Sequence, residues 1–464
     1  MSSDLPIHPS RALFAPHALL PEGWADDVLL AWNSDGVLGE VRRGARRPEG
    51  ISQAAGPVVP GMPNLHSHAF QRVFAGLTEL RGDTSNSFWG WREQMYRVAL
   101  AVSPVQLEDI ATQLYIEMLK AGYTSVCEFH YLHHDPAGKP YANLAEMSLR
   151  LMHAARLAGI GLTLLPVLYQ HSGFGAAPPR PEQRRFLNSV DGVLDIVQRL
   201  RGQGARIGIA PHSLRAVAPD ALRAALSSLQ WLDATAPIHI HIAEQEQELN
   251  DCIAWSGQRP VQWLMGNAKV DARWCLVHAT HIDAGEGRAI AASGATLGLC
   301  PSTEANLGDG IFDAATCLGD GAAWGIGSDS HASLAATEEL RLLEYTQRLA
   351  QRERNVLASP LHEQVADALW LGAVAGGARA SGRTVAGLIE GQKADFVVLR
   401  ADHALAGLSA PQTLASHVFA SHGASAVRDV WAAGVCRVSD GRHEYEGAAC
   451  EAFVAARGQL LAGA

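Results

Sequence analysis

Four residues set the chemical problem posed by this chain. His66 and His68 form an H-x-H pair, His241 ends Pro237-Ile238-His239-Ile240-His241, and Asp329 ends Gly325-Ile326-Gly327-Ser328-Asp329. On a strand, residues i and i+2 face the same side, so both imidazoles of an H-x-H can reach one ion. Three histidines and a carboxylate suit a divalent, zinc-like cation with a coordination position left for water. Such an ion lowers the pKa of its water toward ~7, which makes a nucleophile available at neutral pH. Each residue alone has a duller reading: packing imidazoles for the histidines, a helix cap for Asp329. His239 is expected to pack or hydrogen-bond while His241 ligates. Glu244 follows His241 by three positions and places a carboxylate just past that candidate ligand. His278, ending Cys275-Leu276-Val277-His278, is expected as a ligand or as an acid/base, and Asp329 can ligate and also accept a proton.

What these groups share is position. Eight short apolar runs recur at residues 56–65, 124–129, 162–168, 207–210, 238–242, 274–277, 295–299 and 324–327. Helix-like stretches lie between most of them, such as 104–121, with Leu107, Ile110, Leu114 and Met118, and 144–159. Continuous apolar strands alternating with amphipathic helices read as parallel strands covered on both faces. Eight such units predict an α/β chain with a TIM-like (β/α)8 barrel, whose catalytic groups sit at the C-terminal ends of strands. Nearly every run here ends in a titratable group: His66 and His68, Glu128 and His130, His212, His241 and Glu244, His278 and His281, Glu304, Asp329 and His331. The flanks at 27–60 and 385–445 carry short apolar segments broken by glycine, and predict a small β-domain assembled from both chain ends. The expected division is therefore 1–60 and 386–464 for the small domain and 61–385 for the barrel.

Bulk properties narrow the function classes. With 464 residues, 48% hydrophobic and 18% charged, the chain has the composition of a globular enzyme. A formal net charge of −10 argues against nucleic acid as the main partner, while leaving room for an anionic small molecule held by local arginines. The opening Met-Ser-Ser-Asp lacks the basic and apolar pattern of a signal peptide, and no apolar run approaches the ~20 residues of a membrane span. Seven scattered cysteines without a C-x-x-C point to reduced thiols and a cytoplasmic location. They also leave any zinc to histidine and carboxylate.

With H-x-H on the first strand, His-Ile-Ala-Glu on the fifth, His on the sixth and Ser-Asp on the eighth, the chain resembles the amidohydrolase superfamily. The stretch Gly387-Leu388-Ile389-Glu390-Gly391-Gln392-Lys393-Ala394-Asp395-Phe396 is similar to the segment where that superfamily re-enters its small domain. The resemblance covers essentially the whole chain. It implies a barrel of the metal-dependent hydrolase type with a small β-sandwich, and one divalent ion, expected as Zn2+. The implied ligands are His66, His68, His241 and Asp329, with Glu244, His278 and Asp329 in proton transfer.

A finer likeness lies in His66-Ser67-His68-Ala69-Phe70-Gln71-Arg72, Phe88-Trp89-Gly90-Trp91-Arg92-Glu93 and Pro211-His212-Ser213-Leu214-Arg215-Ala216. Together with Cys300-Pro301-Ser302-Thr303-Glu304, these resemble the formimidoylglutamate deiminase family of bacterial histidine breakdown. That family hydrolyses N-formimino-L-glutamate to N-formyl-L-glutamate and ammonia. Arg92 and Arg215 then offer planar forks for the substrate's two carboxylates, with Tyr131 as a further donor. Gln71 and His212 are expected to orient the formimino end or the substrate backbone. Asp329, aided by His278, can take a proton from the attacking water, and Glu244 can deliver one to nitrogen.

The alternative reading is deamination of a heterocycle such as guanine, and a third is a non-catalytic metal-binding barrel. A homodimer is what the resemblance implies for assembly. His133, His134, His281 and His331 are expected to pack or hydrogen-bond. The stretch 78–91 reads equally as a lid over the substrate and as a plain surface loop.

Overall fold

The structure is a computed structural model that describes residues 11–79, 87–420 and 425–462. Its centre is a closed ring of parallel strands. One ladder runs through Met62–Ser67, Tyr123–His130 and Gly161–Leu168 to the short pair Arg206–Ile207 and Ala210–Pro211. The other joins Ile238–Ile242, Trp274–His278, Thr296–Leu299 and Ala323–Ile326. Parallel bridges Ile209 to Ile238 and Ser213 to His241 close one seam, and Ser67 to Asp329 closes the other. Every residue of Tyr123–His130 and Ile238–Ile242 is buried, as strands enclosed by a helical layer and a packed interior must be.

The helical layer follows from local signals. Pro104–Lys120 begins with a reciprocal cap: Gln106 N–H donates to Ser103 Oγ, and Ser103 N–H donates to Gln106 Oε1. Its inward face buries Leu107, Ile110, Leu114 and Met118. Glu146–Ala158 stops at Gly159, whose φ of 75° is left-handed.

The run read as one strand at 56–65 divides in two. Val58–Pro60 belongs to the small domain and Met62–Ser67 to the barrel. The break falls at Gly61, where a Cβ would lie 2.3 Å from the Thr124 side chain, so the chain crosses between domains at a point too tight for any side chain.

The small domain is a nine-stranded sheet drawn from both chain ends, Ala12–Leu20 through Val58–Pro60 and Phe396–Leu399 through Arg442–His443. Its strands are hydrogen-bonded as one continuous sheet, and the sandwich arises because that sheet curls over its own apolar face. Gly23–Trp32 and Val427–Ala432 are four strand steps apart in the pairing order. In a flat sheet that is about 19 Å, yet the Trp32 and Trp431 rings lie 5.4 Å apart. Leu13, Val28, Leu30, Phe396 and Val398 fill the space between. The C-terminal helix Glu446–Ala462 packs on Pro104–Lys120, with Lys120 Nζ 2.5 Å from Glu446 Oε2. Among the described residues no helix is long and apolar enough to cross a membrane. Residues 80–86 of the candidate lid stretch lie outside the described residues.

Candidate active site

The strand ends of the barrel deliver His66, His68, His241 and Asp329 to one point. One ligand atom from each lies within 4.8 Å of the other three, and all four residues are buried. His66 Nε2 is 2.9 Å from His241 Nε2 and 3.4 Å from Asp329 Oδ1, and His68 Nε2 is 3.3 Å from that same oxygen. Donors about 2.0–2.2 Å from a tetrahedral ion stand roughly 3.3 Å from one another, so the spacing fits. The tautomers fit as well. His68 Nδ1 lies 2.9 Å from Phe129 O and His241 Nδ1 lies 3.1 Å from His212 O. A carbonyl can only accept, so each Nδ1 carries the hydrogen and each Nε2 turns its lone pair inward.

Charge agrees with geometry. Burial pushes His66 down to about 3 and also lowers His68 and His241, so all three imidazoles are neutral near pH 7. Burial opposes ionisation of Asp329, but His66, His68 and His278 outweigh it and hold the carboxyl well below its usual range. Three neutral nitrogens and one anionic oxygen are a donor set for a divalent cation.

Backbone strain concentrates on the same rim. Ala243, His278, Ala279, Asp329 and His331 all have positive φ, between 43° and 67°, where side chains are seldom found. Each lies at the end of a barrel strand or just after it, where the chain turns off the sheet. Gly327 allows the closest approach, because a Cβ there would stand 2.7 Å from that of His66.

His278 sits just outside the cation site. Its Nε2 lies 3.8 Å from Asp329 Oδ2 and 3.7 Å from Glu244 Oε1, while Nδ1 faces Glu304 Oε1 at 3.3 Å. Burial disfavours its charged form, but Glu244, Glu304 and Asp329 together push it up to about 10. His278 is thus held in its protonated form by three surrounding carboxylates.

Above the cation site, a single cleft is lined by every other site residue expected from the sequence: Gln71, Arg92, Tyr131, His212, Arg215 and Glu244. His66 lies fully buried behind its lining. Two of its lining residues carry a buried polar atom without a partner among the described residues: Arg215 Nε, a donor, and Gln71 Oε1, an acceptor. Arg215 Nη2 is 3.7 Å from both Glu244 and Glu248, too long for either carboxylate to hold the guanidinium in a bidentate grip. Gln71 Nε2 donates to Tyr131 Oη at 2.8 Å, which leaves the tyrosine's own proton to give.

The structure gives Glu128, one of the strand-end groups, its contacts, and it adds residues that the sequence did not single out. Glu128 accepts from Ser67 Oγ, Ala69 N–H and Tyr115 Oη, pinning the loop that follows the H-x-H strand. Tyr96 and Tyr169 complete the cleft beside Arg92, and the buried Gln183 donates to both hydroxyls from behind. Tyr96 falls one helical turn after Arg92 on Ser87–Ala101, a spacing visible only once that helix is known. The remaining histidines serve the fold: His133, His134, His239 and His281 face the backbone carbonyls of Val167, Leu187, Ala380 and Asp309, and His331 contacts Ser328 Oγ.

Residues 58–436 match the model of the amidohydrolase family. The chain belongs to that family. Residues 10–50 of this amidohydrolase match a second model, the N-terminal domain of formimidoylglutamate deiminase HutF. A formimidoylglutamate deiminase from Pseudomonas aeruginosa is 53% identical to it over 97% of this chain and 99% of its own length. A crystal structure of an amidohydrolase from Brucella melitensis superposes with a TM-score of 0.91 at 48% identity, covering 97% of this chain and all of the other. An adenosine deaminase from Xanthomonas campestris, solved with bound zinc, shares the fold at a TM-score of 0.78 and 21% identity, covering 97% of this chain and 98% of its own.

Proposed function

We propose that the protein hydrolyses N-formimino-L-glutamate to N-formyl-L-glutamate and ammonia. The observation that carries this reading is the pairing of unsatisfied groups around the cleft. Arg215 Nε lacks an acceptor and Gln71 Oε1 lacks a donor, both beside a four-donor cation site. A substrate with two carboxylates and a cationic formimino group supplies both missing partners. The 53% identity to the Pseudomonas deiminase supports the same substrate.

His66, His68, His241 and Asp329 would hold one divalent ion, with zinc as the proposed native metal. When bound, such an ion lowers the pKa of a water molecule toward ~7 and polarises the bond under attack. The chain's own groups then divide the work. Arg92 and Arg215 fix the carboxylates, Tyr131 donates a further hydrogen bond, and Gln71 and His212 orient the formimino group. Asp329 Oδ2 takes a proton from the attacking water as oxygen bonds to the formimino carbon, and His278 Nε2 at 3.8 Å steadies the charge on that carboxylate. Glu244, 3.7 Å from the same imidazole, carries a proton to nitrogen. The C–N bond then breaks and ammonia leaves, while the remaining hydroxyl proton passes to the emptied Glu244 carboxylate and the oxygen becomes the formyl carbonyl.

Ammonia release from N-formimino-L-glutamate, before and after metal removal and with metal analysis of the purified protein, tests the proposal. Glu244→Gln should keep its metal and lose turnover, and a near-normal rate would remove Glu244 from the mechanism. The aromatic cleft, with Phe186 among Tyr96, Tyr131 and Tyr169, favours a second reading, deamination of a flat heterocycle. Guanine assayed in parallel separates the two, since Arg92→Met and Arg215→Met should raise KM only for the dicarboxylate. The proposed units are residues 61–385 for the barrel and 1–60 with 386–464 for the small domain. The proposed assembly is a homodimer, checked by light scattering.

A further inference from the structure

One buried amide decides how two tyrosine hydroxyls of the cleft point. Gln183, fully buried at the end of the helical turn Pro181–Gln183, accepts the Arg180 backbone N–H on Oε1 at 2.8 Å. A backbone N–H can only donate, so the oxygen end of the amide faces Arg180 and the NH2 end faces the tyrosines. That NH2 donates to Tyr169 Oη at 2.7 Å and to Tyr96 Oη at 3.2 Å. Arg92 directs Nε–H and Nη2–H onto Tyr96 Oη as well, at 3.3 and 3.2 Å. Both phenol oxygens are thereby engaged as acceptors, and each has one proton left to give. Among the described residues neither O–H meets an acceptor, and both rings line the cleft.

The position selects which part of a substrate those protons meet. Arg215 lies 3.7 Å from Glu244 and so belongs to the reacting end. Arg92 and Tyr96 stand on Ser87–Ala101, a helix that contributes nothing to the cation site. We infer that Tyr96 and Tyr169, aligned by Gln183, donate their O–H groups to the substrate carboxylate remote from the formimino carbon. They act there as specificity determinants beside Arg92, an assignment that rests on the N-formimino-L-glutamate reading above. A carboxylate can only accept, so two hydroxyls that each present a proton, with Tyr96 Oη already crowded by donors, favour it over a carboxamide, whose NH2 would confront further donors.

Tyr96→Phe and Tyr169→Phe each remove one oxygen from the metal-loaded enzyme. Each should raise KM for N-formimino-L-glutamate about tenfold while kcat stays within about threefold. The loss should vanish with N-formimino-L-glutamine, whose side chain ends in a carboxamide. Gln183→Met keeps the volume and deletes the amide, and should reproduce the KM rise; should it fail to fold, the two phenylalanine variants decide. Unchanged KM in both phenylalanine variants overturns the inference, as does an equal loss on both substrates. Absence of turnover by the wild-type enzyme overturns the functional reading instead.

Discussion

Arg185 should couple the stability of the fold to the affinity of the site. It is fully buried, and among the described residues no carboxylate pairs with it. Its guanidinium donates to three carbonyls instead: Nε to His134 O at 2.7 Å, and Nη1 to Ala99 O at 2.6 Å and Val102 O at 2.8 Å. Ala99 lies in the last turn of Ser87–Ala101, the helix that carries Arg92 and Tyr96, and Val102 follows that helix directly. In Arg185→Met, three buried carbonyls lose a charged donor at about 1–3 kcal/mol each, offset by no longer burying a cation. The net loss should be about 3 kcal/mol in urea unfolding.

The freed helix end should also let Arg92 and Tyr96 drift, and a shift of about 1 Å at a positioning group costs up to ~100-fold in rate. KM for N-formimino-L-glutamate should therefore rise at least about tenfold, measured by ammonia release at a temperature where the variant is folded. Arg185→Lys keeps the charge without the fork and should recover only part of either loss. A variant that loses stability but keeps the wild-type KM would refute the coupling, and one that keeps its stability would refute the account of the carbonyls.

Three further outcomes follow from particular contacts. Glu304→Gln keeps a hydrogen-bonding side chain on His278 Nδ1 but removes a charge, so kcat should fall about tenfold or more with KM little changed, checked by steady-state kinetics. Glu339 is buried against Ser302 and pushed up to about 8 from an ordinary 4.5. The native state keeps its proton where the unfolded chain has lost it, so this group makes stability fall as pH rises from about 4.5 to about 8. Glu339→Gln should flatten that fall in urea titrations across the window, and an unchanged slope would contradict it. Gly376→Ala places a Cβ 1.7 Å from Trp324 O, forcing Val365–Ser381 off the last barrel strand, and should cost about 3 kcal/mol or abolish accumulation of folded protein.

The barrel was legible because its strands are buried on both faces and therefore read as unbroken apolar runs, each ending at a polar group. The cation site was legible for the same reason: His66, His68, His241 and Asp329 stand where such runs stop. Other features left weaker traces. Ala12–Leu20 carries Pro16, which argues against a strand, yet the ladder passes from Ala15 to His17 without a pairing at the proline. Tyr169, Gln183 and Arg185 lie in or beside the loop after the third strand, where no periodicity marks which polar residue will be buried. In Pro181-Glu182-Gln183-Arg184-Arg185 the two arginines look alike, but only Arg185 turns inward. Burial there is decided by what the loop packs against, which local sequence does not record.

The shared sheet of the small domain has a consequence for biosynthesis. Val58–Pro60 completes its antiparallel ladder only with Phe396–Leu399, more than 330 residues later in the chain. At roughly 5–20 residues per second, a ribosome leaves those early strands without their partner for tens of seconds. During that interval the strand order Ala12–Leu20 to Val58–Pro60 offers an unpaired edge to any passing chain. Ribosome-associated chaperones should therefore hold the N-terminal segment until the barrel has emerged, and a truncation before residue 396 should aggregate even though all eight barrel strands are present.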